Sequence, residues 1–387
     1  MQVKVGTDII EVKRIRASIE TFGNKFLNKI YTQDEITYCN KNADTKYQHF
    51  AVRFAAKEAV FKAISEFTSN SLVWKNIEIK NNKTGRPEVI LHGPEKNRIS
   101  NIDISLSHVE DTAIATVVAI IEEWGNTMKI FDSHAHYDDE KFDCDREEIL
   151  KNIQNTGIEK LVSAGYSLES SKQSIKLGDK YDFIYSTCGI SPNDIPDTEE
   201  KLNKQLEQLE ELLKTSAKVV AIGEIGLDYY WNKENKELQK SAFIKQIELA
   251  NKYNLPIVIH TREAIQDTLE IFKNVKTANK KGVFHCCPLN VDLVREGLKL
   301  GFYISFAGPI TFKNSKNANE IIDMVPLDKM LIETDSPYLS PEPKRGTRNN
   351  SSNLVYIIEK IANQKQIQPE QIALNTYNNA LQIFNIK

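Results

Sequence analysis

Lys129-Ile130-Phe131-Asp132-Ser133-His134-Ala135-His136 decides how this chain is read. Its start suits an extended strand, and the two histidines, two residues apart, then point to one face of that strand. One strand can in this way offer two imidazoles to a single metal ion. Strands and amphipathic stretches alternate from there to the end. Strands are expected at residues 129–133, 160–164, 184–188, 219–223, 256–259, 282–284, 302–306 and 330–332, with helical stretches such as 237–252 between them. Eight βα units in about 260 residues predict an α/β (β/α)8 TIM barrel over residues 128–387.

The chain has seven histidines, and the four beyond residue 128 all close a predicted strand: His134, His136, His260 and His285. Glu224 and Asp335 close two others. In a barrel those ends converge on one face, so residues far apart in sequence meet. A single buried histidine is usually a satisfied core residue, and a single strand-end acid is often a helix cap. Six such residues on one face call for a common cause. Four imidazoles and two carboxylates match the demands of two borderline divalent ions such as Zn2+, Mg2+ or Mn2+, with Glu224 able to bridge them.

At these residues the chain resembles a known family. Asp132-Ser133-His134-Ala135-His136, Gly223-Glu224-Ile225-Gly226-Leu227-Asp228-Tyr229, Ile259-His260-Thr261-Arg262, His285-Cys286 and Glu333-Thr334-Asp335-Ser336-Pro337 are similar, in order, to the motifs of the TatD deoxyribonucleases. The resemblance implies a hydrolase that acts on DNA. His134, His136, Glu224 and Asp335 would hold one metal, and Glu224, His260 and His285 the second. Asp335 would orient or deprotonate the attacking water. Paired ions can stabilise both the attacking and the leaving oxygen of a phosphodiester. Two departures stand out: Ser191 follows Gly189-Ile190 where the family usually has His, and Asn350-Ser351 replaces Glu-Pro. Both are expected where substrate is held. Arg262 and Arg345 are candidate phosphate clamps. Related metal barrels cleave other esters or amides with the same ligand types, which is the alternative reading.

Residues 1–124 read differently. A strand at 3–9, an Ala-rich helix at 52–64, a hairpin of 77–80 with 88–91 around Lys83-Thr84-Gly85-Arg86-Pro87, and paired strands at 102–107 and 113–121 form an α+β pattern. The segment 122–127 separates this unit from Met128. Asp8 closes a strand, and Glu58 and Lys62 lie four apart on one helix. That pair is ordinarily an i,i+4 salt bridge. Two carboxylates from different elements could instead hold an oxygen-liking Mg2+. The pattern alone leaves both open.

Gly6-Thr7-Asp8-Ile9-Ile10-Glu11, Arg53-Phe54-Ala55-Ala56-Lys57-Glu58-Ala59 with Lys62-Ala63, Gly85-Arg86-Pro87 and Ser105-Leu106-Ser107-His108 resemble holo-acyl-carrier-protein synthase, a 4'-phosphopantetheinyl transferase of fatty acid biosynthesis. The resemblance implies transfer of 4'-phosphopantetheine from coenzyme A to a serine of apo-acyl carrier protein. Asp8 and Glu58 would bind Mg2+, and Lys62 would act on the coenzyme A phosphates. Gly85, Arg86, Pro87 and His108 would line the nucleotide site, and Arg14 would meet the acidic carrier. The family acts as a homotrimer. Ser65-Glu66-Phe67 stands where the family has a Gly-Thr-Gly turn, crowding the diphosphate. The alternative is a non-catalytic oligomerising or carrier-docking module.

Composition bounds these readings. Residues 1–124 carry 17 Lys and Arg against 16 Asp and Glu, and the remainder 33 against 37, so neither half is a strongly basic nucleic-acid binder. Metal ions, rather than a basic surface, would have to meet phosphates. Five cysteines without a CxxC pair fit a reducing compartment. Met-Gln-Val-Lys-Val has neither the basic start nor the apolar run of a signal peptide, and the apolar run 113–121 is about half a membrane span. A cytoplasmic location with no membrane association is expected.

Overall fold

The computed structural model describes residues 2–65, 73–92, 99–121, 128–275 and 281–387, so Glu66, Phe67 and the segment 122–127 lie outside the described residues. The chain divides into two compact units, Met1–Trp124 and Gly125–Lys387.

In the first unit, strand β1 (Gln2–Glu11) leads into α1 (Val12–Ile30), α2 (Gln33–Cys39) and α3 (Lys46–Ile64). The hairpin β2 (Ile77–Asn81) and β3 (Pro87–Leu91) follows, then β4 (Ile99–His108) and β5 (Thr112–Ile121). The main sheet is antiparallel in the order β1-β5-β4. Helix α3 packs on it through Ala55, Ala59 and Ala63, small side chains that let the backbones approach. Gly6 shows how close they come: a Cβ there would sit 1.9 Å from the Ala59 carbonyl oxygen. Asp8 is thereby carried up to α3. Among the described residues little covers the opposite face of the sheet. Val3, Val5 and Ile9 on β1 stand beside Ile114 and Val118 on β5, and each is more than a third exposed.

The second unit begins with β6 (Ile130–Ala135), α4 (Arg146–Gln154), β7 (Ile158–Ser163), α5 (Leu168–Lys180), β8 (Ile184–Cys188) and α6 (Glu199–Leu212). It continues with β9 (Val219–Asp228), α7 (Lys236–Tyr253), β10 (Ile257–Arg262), α8 (Ile265–Asn274), β11 (Gly282–Phe284) and α9 (Val291–Lys299). It ends with β12 (Tyr303–Phe306), α10 (Ala318–Met324), β13 (Met330–Ile332), α11 (Leu354–Lys365) and α12 (Pro369–Phe384). All eight strands are parallel and neighbours follow chain order from β6 to β13, as a TIM barrel requires. The seam between first and last strands is joined by Asp132, whose Oδ1 accepts from Thr334 N at 3.0 Å, and by Ser133 Oγ, which donates to the Ile332 carbonyl at 2.9 Å.

One expected strand end is corrected. β9 does not stop at Gly223 but runs four residues past Glu224 to Asp228, because β10 continues to pair with it, His260 opposite Gly226 and Arg262 opposite Asp228. Gly226 makes that pairing possible: at φ 141° a Cβ would lie 2.0 Å from the His260 carbonyl oxygen.

Among the described residues no helix is long and apolar enough to cross a membrane. All five cysteines are unpaired.

Candidate metal centre

Six side chains from five strands meet at the C-terminal end of the barrel. His134 lies within β6 and His136 one residue past it, and their Nε2 atoms are 3.2 Å apart. Glu224 Oε2 lies 3.6 Å from His134 Nε2 and 3.7 Å from His136 Nε2. Its other oxygen, Oε1, lies 2.9 Å from His260 Nδ1 and 3.3 Å from His285 Nε2. Asp335, three residues beyond β13 at φ 56°, places Oδ1 3.3 Å from His136 and 3.7 Å from His134. Three triads of potential ligand atoms result, each within 4.8 Å: His134 with His136 and Glu224, His134 with His285 and Asp335, and Glu224 with His260 and His285. Glu224 faces both halves of the cluster, one oxygen to each.

Three of the imidazoles are oriented by fixed acceptors on their outer nitrogens. His136 Nδ1 donates to the Ala164 carbonyl at 3.1 Å, His285 Nδ1 to Glu333 Oε1 at 3.3 Å, and His260 Nε2 to Asp228 Oδ2 at 3.0 Å. Each bond fixes which ring nitrogen is turned outward and leaves the other facing the carboxylates of the cluster. His260 alone faces the cluster with Nδ1. Among the described residues the buried His134 Nδ1 has no hydrogen-bond partner.

The electrostatics are those of a site built to hold charge. Burial would push Glu224 up, but the imidazoles of His285, His134 and His260 outweigh it and hold the carboxyl well below its ordinary value. Burial of Asp335 is likewise overcome, chiefly by His136, and its pKa falls to about 2. Burial lowers His136, yet Asp335 and Glu224 raise it to about 9. Two carboxylates ionised inside a buried pocket are a strong demand for cations.

The first unit gathers a smaller set. Lys62 Nζ reaches across from α3 to Asp8 Oδ1 at 2.8 Å and to the Thr7 carbonyl at 3.1 Å. The ordinary i,i+4 pair with Glu58 is therefore not what forms. Burial and the like charge of Asp8 raise the pKa of Glu58, so the two carboxylates feel one another. Gly85 turns the hairpin at φ 87°, and Arg86 meets Asp103 with Nη2 2.8 Å from both carboxylate oxygens. A groove of about 550 Å³ lined by Arg86, Pro87, Ser105 and Thr116 adjoins that pair. His108 ends β4 and stacks on His49, and Arg14 is exposed on α1.

Residues 131–385 match the family described as TatD related DNase. The chain belongs to that family. Its TatD-like part is 41% identical to YabD, an uncharacterized metal-dependent hydrolase of Bacillus subtilis, over 66% of this chain and 99% of that protein. It is 34% identical to YcfH of Escherichia coli K12, also an uncharacterized metal-dependent hydrolase, over 67% of this chain and 97% of that protein. The crystal structure of YJJV, a TatD homologue from E. coli, superposes with a TM-score of 0.63 at 26% identity, covering 67% of this chain and 98% of that one. Residues 4–117 match the 4'-phosphopantetheinyl transferase superfamily. The chain thus joins a phosphopantetheinyl-transferase-like domain to a TatD-like metal-dependent hydrolase domain.

Sequence reasoning passed over Asp228 and Glu333 in the TatD-like barrel. Asp228 carried a signal: four residues after Glu224 on one strand, it shares that residue's face. Ser351 requires a correction. It does not line a substrate surface but is fully buried, donating through Oγ to Asp132 Oδ2 at 2.6 Å while its amide donates to Tyr137 Oη. The chain after β13 folds back beneath β6, and a small hydroxyl fits there. Ser191 is also buried and donates to Asp194 Oδ2 at 2.6 Å. Arg262 lies over the Tyr230 ring and Arg345 over Phe312.

Proposed function

We propose that the chain carries two activities, DNA phosphodiester hydrolysis in the barrel and 4'-phosphopantetheine transfer in the first unit. The observation that carries the first is the convergence of four imidazoles on Glu224 and Asp335, three of them oriented by outer-nitrogen acceptors. His134, His136, Glu224 and Asp335 would hold one divalent ion, and Glu224, His260 and His285 a second. This mixed nitrogen and oxygen donor set suits Zn2+ or Mn2+, and Mg2+ less well. Such ions, when bound, supply Lewis-acid stabilisation of phosphate charge and a lowered pKa for the attacking water. Asp335, kept ionised at the centre, orients that water and accepts its proton as the oxygen attacks phosphorus and the departing ester oxygen leaves.

In the first unit, Asp8 and Glu58 would hold Mg2+, whose charge relieves the repulsion that raises Glu58. Lys62 would release Asp8 and turn to the diphosphate of coenzyme A, with Gly85, Arg86, Pro87 and His108 about the nucleotide. The carrier serine oxygen would attack the β-phosphorus and release its proton to solvent, the bond from that phosphorus to the bridging oxygen would break, and adenosine 3',5'-bisphosphate would leave with the bridging oxygen. Arg14 would meet apo-acyl carrier protein. The first units would associate as a homotrimer, in the cytoplasm; the exposed apolar residues of β1 and β5 support association, and its order is the family's.

The test uses the purified full chain. Elemental analysis should find divalent metal, a 3'-end nuclease assay should show release of nucleotides, and mass spectrometry of apo-acyl carrier protein should show gain of the prosthetic group. Cleavage of a lactone or phosphotriester panel without cleavage of DNA would replace the nuclease by another ester hydrolase. A carrier protein left unmodified would reduce the first unit to a docking or oligomerising module.

A further inference from the structure

Beyond the metal cluster, β9 ends in an aromatic turn that the fold does not bury. Trp231 is 68% exposed and Tyr230 44%, with their rings edge to face at 4.8 Å. Arg262, exposed at the end of the neighbouring β10, lies 3.9 Å from the Tyr230 ring centroid and 5.6 Å from that of Trp231. Among the described residues no carboxylate pairs with Arg262. The core gains little from an indole left this open, so its place needs another reason.

That place is set by the cluster itself. Asp228 Oδ1 accepts from the backbone N–H groups of Tyr230, at 2.9 Å, and Trp231, at 3.0 Å, while Oδ2 accepts from His260, which faces Glu224. One carboxylate therefore fixes both a cluster imidazole and the aromatic turn. A backbone bond from Tyr229 N to the Arg262 carbonyl, 2.9 Å, ties Arg262 to the same turn.

We infer that Trp231, Tyr230 and Arg262 form a stacking platform for an unpaired nucleobase of the strand being cleaved. The inference rests on the nuclease reading above and assigns these three side chains to the terminal base of the substrate. Indole and phenol rings stack on any base, and a stacked guanidinium free of carboxylates adds charge for the adjoining phosphate.

The chain has three tryptophans, Trp74, Trp124 and Trp231. In the full-length Trp74→Phe/Trp124→Phe variant, Trp231 alone reports. Titration with a phosphorothioate oligothymidylate should quench its fluorescence, and the same oligomer with abasic 3'-terminal residues should not. In hydrolysis, Trp231→Ala should raise KM for single-stranded DNA about tenfold with kcat held, Trp231→Phe should restore most of it, and an abasic end should erase the difference. Equal quenching by both oligomers, or an unchanged KM in Trp231→Ala, overturns the platform while leaving the nuclease intact. Base-dependent quenching without hydrolysis of any DNA keeps the platform and overturns the nuclease.

Discussion

Asp228 decides which nitrogen His260 presents to the cluster. Its Oδ2 lies 3.0 Å from Nε2, and the ring's other nitrogen, Nδ1, lies 2.9 Å from Glu224 Oε1. The His260 bond, with further donors from Trp231 and Asn193, overcomes partial burial and holds the pKa of Asp228 at about 2, so it acts only as an acceptor.

Asp228→Asn should therefore weaken metal binding without unfolding the barrel. The amide would keep its oxygen on the backbone of Tyr230 and Trp231 and turn its NH2 to His260, placing the ring proton on Nδ1, the wrong side. Loss of such a supporting bond costs about 10- to 100-fold in metal affinity. Competition with a chromophoric chelator measures it. Unaltered affinity would mean that His260 is oriented by its packing instead.

The first unit buries an ion pair. Lys57 and Glu35 are sealed from solvent with Nζ and Oε2 2.9 Å apart, and the other Glu35 oxygen accepts from Ile79 N at 3.0 Å. Lys57→Ala should destabilise the unit by about 3–5 kcal/mol, since it strands a carboxylate, whereas Glu35→Leu/Lys57→Met should lose much less. Burial lowers the pKa of Lys57 against the pull of Glu35. The unfolded chain then holds more protons on this group just below pH 10.5, so Lys57 contributes stability that rises with pH there, and that contribution should be absent in Lys57→Met. Hydrogen exchange of α3 peptides follows the change in the full chain.

The sequence disclosed the barrel because its strands are short apolar runs alternating with helical stretches, five of the eight running into a polar residue. His134, His136, His260, His285, Glu224 and Asp335 were legible for that reason, and the structure brings them together. The extent of β9 was not, because Glu224 and Gly226 break its apolar run while its pairing with β10 continues. Glu333 was hidden among 53 acidic residues, and although the spacing of Asp228 from Glu224 was legible its part was not, since both parts depend on which histidine nitrogen faces inward, a matter of three dimensions. Lys62 was misleading: helical spacing pointed to Glu58, but the close approach of Gly6 to Ala59 puts Asp8 within reach. Ser351 looked like a change at the substrate surface because nothing local reveals that the chain there turns under β6.

The exposed sheet face gives a prediction on assembly. Val5 and Val118 are direct partners across β1 and β5, 62% and 41% exposed, so either can carry a charge without disturbing the core. Val5→Asp/Val118→Asp should convert an oligomeric full chain into monomers, read by light scattering, because association would desolvate both carboxylates. If the variant keeps the wild-type mass, the chain associates elsewhere.

Asp8→Ala and Glu58→Ala should each abolish phosphopantetheine transfer and leave hydrolysis in the barrel unchanged. Asp8→Ala also frees Lys62, so loss from a missing lysine partner must be separated from loss of metal. Glu58→Ala makes that separation, since it leaves the Asp8–Lys62 pair whole. Intact-mass measurement of the carrier protein reads both, and near-normal transfer by Glu58→Ala would remove the proposed Mg2+ site.

Asp335→Asn and His134→Ala should part in what they lose. Asp335 presents Oδ1 between His136 and His134, while its amide donates to the His134 carbonyl at 3.0 Å and its carbonyl accepts from Tyr338 N at 2.9 Å. The backbone bonds keep position 335 in place whatever the side chain, and asparagine retains one oxygen toward the cluster. It cannot accept a proton there. Hydrolysis should fall about 100- to 10,000-fold, as loss of a general base does, with much of the metal retained. His134→Ala instead removes an imidazole whose Nε2 faces His136, Glu224 and Asp335 together. Metal occupancy itself should drop, and added metal should restore part of the activity. Elemental analysis beside nuclease rates at several metal concentrations distinguishes the two. Full activity in Asp335→Asn, or equal metal loss in both variants, would refute the separate part given to Asp335.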